Sequence, residues 1–191
     1  MTGLLLLSGG RGRRMGASKH DLPHPDGGTW GGHLVRVFRA LWPEGPVVVL
    51  GEPLPDHPDL LRCEDPREGP AVALRAWAQQ DVPLPPVMRW WLVACDQVRW
   101  TVPSLRAWHR RVQAVDPAAS HWVLATQEGH LQPLGGFLSD GLRPALAQSS
   151  ATSLTGLATS LPHRLLPADG PEWQDLDTPE ARRAFEAERR S

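Results

Sequence analysis

Three stretches of this chain are apolar on consecutive residues: Gly-Leu-Leu-Leu-Leu-Ser (3–8), Pro-Val-Val-Val-Leu (46–50) and the Trp-Trp-Leu-Val-Ala-Cys that ends on Asp96. A strand with one wet face alternates apolar and polar residues, so unbroken apolar runs predict strands covered on both sides, as in a parallel sheet. Between them the spacing turns helical. Leu34, Val35, Val37, Phe38 and Leu41 recur on one face until Pro43. Gly69-Pro70 opens a helix through about Gln80, and Pro103 opens another through Leu105, Trp108 and Val112.

Leu60–Cys63, 121–126 and 132–138 read as further strands. Residues 140–147 read as a helix interrupted by Pro144, and 148–160 as a polar surface segment with some helix. His20 to Gly32, punctuated by proline and glycine, is expected to be irregular. Thr178-Pro179-Glu180 is a helix start, with Thr as N-cap, proline in the first turn and an acid at the positive end. Strands alternating with helices predict a three-layer α/β/α, Rossmann-like fold with a mostly parallel sheet. At 191 residues the chain is read as a single domain. Ligands in such sheets sit outside the carboxyl ends of the strands. The glycine-rich loop from Gly9 to Lys19 falls there, and so does Asp96.

Composition narrows the partners. A formal net charge of −1 gives no general attraction to nucleic acid or to an anionic membrane, so any anion site must be local. No stretch approaches the roughly 20 apolar residues of a membrane helix. The run Leu4–Leu7 is too short for a signal-peptide core, and Cys63 and Cys95 form no metal or disulfide pattern. A cytoplasmic protein is expected. The chain has no Asn, Ile or Tyr, and Lys19 is its one lysine against nineteen arginines. Such a bias should let an idle lysine drift to arginine. Lys19 therefore suggests a position suited to a compact ammonium and closed to a planar guanidinium.

The loop has Gly9, Gly10, Gly12 and Gly16 with Arg11, Arg13, Arg14 and Lys19. Glycine N–H groups and cations at a strand end make a cradle for phosphate oxygens. Neither standard phosphate motif is present. Gly16-Ala17-Ser18-Lys19 is not a P-loop ending, and Gly10-x-Gly12-x-x-Met15 lacks the third glycine of the dinucleotide fingerprint. The eight histidines are scattered, and His20 and His24 lie in a Pro-rich loop without zinc-site spacing.

The loop sequence LLSGGRGRRMGASK resembles the signature of the nucleotidyltransferases that include molybdenum cofactor guanylyltransferase. The resemblance continues in order through EDPREGPAVALRAW, ACDQVRWTVPSL, QPLGGFLSDGLRPAL and WQDLDTPEARRAFE, nearly the whole chain. It implies a fold of the nucleotide-diphospho-sugar transferase type. In that scheme a nucleotide-binding part spans about 1–100 and an acceptor-binding part about 101–191. The implied reaction moves GMP from GTP to the phosphate of molybdopterin and releases pyrophosphate. Mg²⁺ is the implied cofactor, and molybdoenzymes or their chaperones are candidate protein partners.

By the same resemblance Leu7, Ser8 and Gly9 offer main-chain contacts to the nucleotide, and Gly10 meets the triphosphate. Arg14 steadies the leaving pyrophosphate, Lys19 puts a point charge beside the phosphates, Asp65 contacts the nucleoside and Asp96 binds Mg²⁺. Three features depart from the family pattern. Leu50 stands where an Asn is usual, Gln97-Val98 follows Asp96 in place of x-Pro, and Asp175 and Asp177 replace asparagines. These departures leave two alternatives. One is cytidylyl or uridylyl transfer to the same pterin or to a sugar phosphate; the other is a non-catalytic nucleotide-binding partner in molybdoenzyme assembly.

Overall fold

The computed structural model describes residues 1–9, 18–81 and 83–189. Seven strands form one sheet: β1 (Thr2–Leu7), β2 (Val47–Leu50), β3 (Leu61–Cys63), β4 (Arg89–Ala94), β5 (Trp122–Gln127), β6 (His130–Ser139) and β7 (His163–Pro167). Their spatial order is β3-β2-β1-β4-β6-β5-β7. Only β6 runs against its neighbours; it pairs antiparallel with both β4 and β5, and the other pairs are parallel. The helices are α1 (Trp30–Arg39), α2 (Pro70–Gln79), α3 (Val102–Val115), α4 (Arg143–Gln148), α5 (Leu154–Ser160) and α6 (Pro179–Glu188).

The unbroken apolar runs serve two cores at once. Leu4, Leu6, Val47, Val49, Trp91 and Val93 pack on one face against α1 and α3 residues such as Phe38, Leu105 and Val112. Leu5, Leu7, Val48, Leu50, Trp90 and Leu92 pack on the other against Leu74 and Trp77 of α2, Leu146 of α4 and Leu157 of α5. Successive residues of a strand point to opposite faces, so both must be apolar when both faces are covered. Trp90 and Trp91 show this directly. Trp90 meets Trp77 edge-on at 5.3 Å, and Trp91 meets Trp100 at 5.5 Å across the sheet.

Four local expectations change. The glycines expected to break structure after His20 instead admit a helix start: α1 begins at Trp30 with Gly31 and Gly32 in its first turn. Thr29 caps it by accepting from the Gly32 N–H at 3.0 Å, while Asp56 holds Thr29 through its N–H and hydroxyl, both at 2.7 Å. A Cβ at Gly31 would lie 2.5 Å from Leu54, so close approach is what selects glycine there. Pro144 opens α4 in its first turn, where a missing N–H costs nothing, and does not interrupt it. The strand expected to run to Asp96 ends at Ala94, and Asp96 sits in the turn beyond. β7 was not anticipated: it is a half-exposed edge strand, and Leu165 faces solvent.

A third, smaller core closes the molecule beside the sheet. Leu22, Trp30, Val98, Leu176 and Phe185 pack together, tying α6 to the segment before α1. Among the described residues no helix is long and apolar enough to cross a membrane.

Candidate active site

The strand order reverses at the β1–β4 junction, with β2 and β3 on one side and β6 on the other. That is where an open α/β sheet forms a crevice. In register, Leu7 stands beside Ala94, and the Cys95 N–H donates to the Leu7 carbonyl at 3.0 Å. The chain segments leaving β1 and β4 therefore emerge side by side. They are Ser8–Gly9 and the Asp96 turn.

Lys19 and Asp96 meet there. The Lys19 Nζ donates to Asp96 Oδ2 at 2.7 Å and also to Asp177 Oδ1. Burial by itself would lower the lysine pKa, but hydrogen bonds and negative charge from Asp177 and Asp96 push it up to about 12. The ammonium is thus held charged. Asp96 Oδ1, by contrast, is buried without a hydrogen-bond partner among the described residues. A carboxylate oxygen in that state is a ready ligand for a cation.

Asp177 and Asp175 arrive from the segment ahead of α6. Between them Leu176 is buried in the third core, and its N–H donates to the Asp96 carbonyl at 3.2 Å. The Thr178 hydroxyl caps α6 by accepting from the Ala181 N–H at 3.2 Å. Asp175 is exposed as a residue, yet its carboxyl is crowded. Partial desolvation, then the charges of Asp96 and Asp177, push its pKa up to about 6 against the opposing pull of Lys19 and Gln97. Gln97, buried, also accepts from the Ala94 N–H at 3.4 Å. The Gln97-Val98 departure has a structural sense here: Gln97 steadies the turn and Val98 fills the third core.

A crevice over β1, β2 and the start of α2 lies beside this cluster: Gly9, Ser18, His20, Glu52, Asp65, Gly69 and Ala94 line it, and Lys19 and Asp96 stand next in sequence to its lining without themselves being part of it. Leu7 also lines it. The N–H groups of Ser8 and Gly9 are spent on the Leu50 carbonyl at 3.0 and 3.3 Å, and the Ser8 hydroxyl donates to the Glu52 carbonyl at 2.6 Å. Main-chain contacts from Ser8 and Gly9 to a ligand therefore fall to carbonyl oxygens. Asp65 lies against Gly9, where a Cβ would collide with its Oδ2; its Oδ1 accepts from the Arg67 N–H at 2.8 Å. Gly51, at φ +122, lets β2 pass beside the start of the loop: a Cβ there would lie 2.6 Å from the Gly9 nitrogen. Leu50 is buried in the core and offers no side chain to the crevice. Gly10 and Arg14 lie outside the described residues.

Sequence reading missed His20, Gln97 and Gly51 as crevice-shaping residues. The signal for His20 was present in its place beside Lys19, but Gln97 and Gly51 matter only through contacts with distant segments. The two cysteines are free and buried, and burial pushes the Cys95 thiol far above its usual range. His24, Asp26 and His33 bring potential metal-ligand atoms within 4.8 Å of one another. The two rings, however, stack at 3.8 Å and 9°, so their in-plane lone pairs lie in parallel planes and do not converge on one ion.

An open, mostly parallel α/β sheet with a crevice at its switch point and a lysine–aspartate pair beside it is an arrangement suited to nucleotide chemistry, and comparison with known proteins gives the class. The model of the MobA-like NTP transferase domain matches residues 4–165, and the chain belongs to that family. A probable molybdenum cofactor guanylyltransferase of Synechococcus elongatus is 31% identical over 164 residues, covering 75% of this chain and 74% of that protein. Among solved structures, molybdopterin-guanine dinucleotide biosynthesis protein A from Archaeoglobus fulgidus superposes with a TM-score of 0.72 at 14% identity, covering 98% of this chain and 97% of that one. Rv0371c of Mycobacterium tuberculosis in complex with manganese gives 0.65 at 22% identity, covering 97% of each chain. The three-layer nucleotide-diphospho-sugar transferase fold expected from the sequence is the fold observed.

Proposed function

We propose that this chain transfers GMP from GTP to the phosphate of molybdopterin, releasing pyrophosphate. The observation that carries the reading is the Lys19–Asp96 pair at 2.7 Å, next in the chain to Ser18 and His20, which line the crevice over β1 and β2. An oxygen of the acceptor phosphate attacks the α-phosphorus, and the bond from that phosphorus to the β-phosphate oxygen breaks. No enzyme-bound intermediate is needed. The protein's task is to hold two polyanions together and to neutralise charge as it develops.

In this reading Leu7, Ser8 and Gly9 offer main-chain contacts to the nucleotide, Gly10 meets the triphosphate, Arg14 steadies the leaving pyrophosphate, Asp65 contacts the nucleoside, and Lys19 neutralises phosphate charge. Asp96, whose Oδ1 has no partner among the described residues, fits the role of Mg²⁺ ligand. The manganese complex of the Mycobacterium tuberculosis structure supports a divalent cation in this fold. When bound, that ion supplies Lewis-acid charge to phosphate oxygens. Residues 1–100 then form the nucleotide side and 101–191 the acceptor side. The reading places the reaction in the cytoplasm, with product handed to molybdoenzymes or their chaperones.

The test is pyrophosphate release with Mg²⁺, molybdopterin and each nucleoside triphosphate in turn. Release with GTP that depends on the acceptor is expected. Preference for CTP or UTP would replace the base assignment, and nucleotide binding without any release would make the chain a non-catalytic binder. Asp96→Ala is expected to abolish metal-dependent release while the melting temperature stays near that of the unaltered protein. Normal turnover in that variant would remove Asp96 from the metal role.

A further inference from the structure

The replacement of two amides by Asp175 and Asp177 changes the electrostatics of the crevice mouth. With neutral amides there, Asp96 and Lys19 would cancel, and a divalent cation would find little net charge until a triphosphate brought its own. Here two carboxylates, Asp96 and Asp177, contact one ammonium, and Asp175 adds a third negative charge near enough to act on them, a formal excess of two negative charges among the described residues. Among the described residues Asp96 Oδ1 is buried with no partner, while Asp96 Oδ2 and Asp177 Oδ1 converge on the same Lys19 Nζ.

Resting on the nucleotidyl-transfer reading of this crevice, we infer that Asp96 and Asp177 form a divalent-cation seat that Lys19 occupies as a placeholder. The seat takes the ion before any nucleotide arrives, and the lysine gives way to it. The backbone decides which group moves. Asp177 is next to Leu176, which is buried in the third core and bonded to the Asp96 carbonyl, so both carboxylates sit on an anchored frame. Lys19 reaches the seat on a flexible four-carbon stem, and its neighbours Ser18 and His20 line the crevice. Displaced from the carboxylates, its ammonium has the crevice in reach, where the phosphates of a nucleotide bind. One lysine thus serves the empty and the loaded protein in two positions. Arginine is a poor substitute, because a rigid planar fork held by two carboxylates gives way less readily.

The test uses Mn²⁺ alone, titrated into the nucleotide-free full chain and followed by loss of the sharp electron paramagnetic resonance signal of the free ion. The unaltered protein is expected to bind one Mn²⁺. Lys19→Met, with no ammonium to displace, should bind it about tenfold tighter or more, and Asp177→Asn about tenfold weaker or more. Lys19→Arg should bind no tighter than the unaltered protein. Thermal unfolding of each variant checks the fold, and Lys19→Gln replaces Lys19→Met should the latter not fold. Equal or weaker Mn²⁺ binding after loss of the lysine charge overturns the placeholder. So does Mn²⁺ binding that appears only when GTP is added, although the metal reading of Asp96 then survives. No Mn²⁺ binding with or without GTP overturns that metal reading itself.

Discussion

Gly51→Ala tests how tightly the crevice is built. Gly51 follows β2 at φ +122, a conformation that L residues rarely adopt. An added Cβ would also lie 2.6 Å from the Gly9 nitrogen, 2.9 Å from the Gly9 Cα and 3.1 Å from the Ser8 hydroxyl. Two of these contacts are backbone, which cannot rotate away. The conformational strain costs roughly 1–3 kcal/mol, and the steric overlap adds roughly 1–3 kcal/mol. The sum, about 2–6 kcal/mol, corresponds to a fall in melting temperature of roughly 4–24 °C at this chain length. Gly69→Ala separates the two contributions. Gly69 has a similar φ of +106, but a Cβ there would meet nothing within 4 Å among the described residues, so only the strain remains. Calorimetric unfolding of both variants is expected to show Gly51→Ala the more destabilised, with weaker nucleotide binding as the start of the loop is pushed from β2. Equal melting temperatures for the two variants would refute the close approach of β2 to the loop.

Other expectations follow from the same structure. Desolvation, then neighbouring positive charge from His33, pushes the His24 pKa down to about 4; burial, then Arg89, does the same to His109. The unfolded chain therefore takes up these protons first. Stability is full above about pH 6.5 and falls as pH drops toward 4, by up to about 3 kcal/mol for each histidine. Urea midpoints flat from pH 7 to 4.5 would contradict this, and His24→Gln should remove part of the slope. Thr178→Ala removes the cap of the helix behind Asp177 and should cost about 1 kcal/mol, read as a lower urea midpoint with an unchanged slope. Arg89→Met is expected to destabilise by roughly 1–3 kcal/mol, because the buried Arg89 donates to the Asp116 carbonyl at 2.8 Å, and equilibrium unfolding measures the loss.

The sequence alone determined what local pattern can encode. Unbroken apolar runs at Leu4–Leu7, Val47–Leu50 and Trp90–Val93 demanded cover on both faces, and hence a layered sheet. Thr178-Pro179 marked a helix start because capping is settled within a few residues. The order of motifs also pointed to Lys19 and Asp96 as partners in one site. Periodicity is silent on register and closure, since these depend on which distant surfaces fit. The pairing of Leu7 with Ala94, the edge strand β7, and the glycines of α1 that approach Leu54 and Asp56 were decided by tertiary packing. So was the place of Asp177, 158 residues from Lys19 in sequence and bonded to it in space. A buried leucine between two acids carries both to the crevice, and nothing local to that segment shows where it will dock.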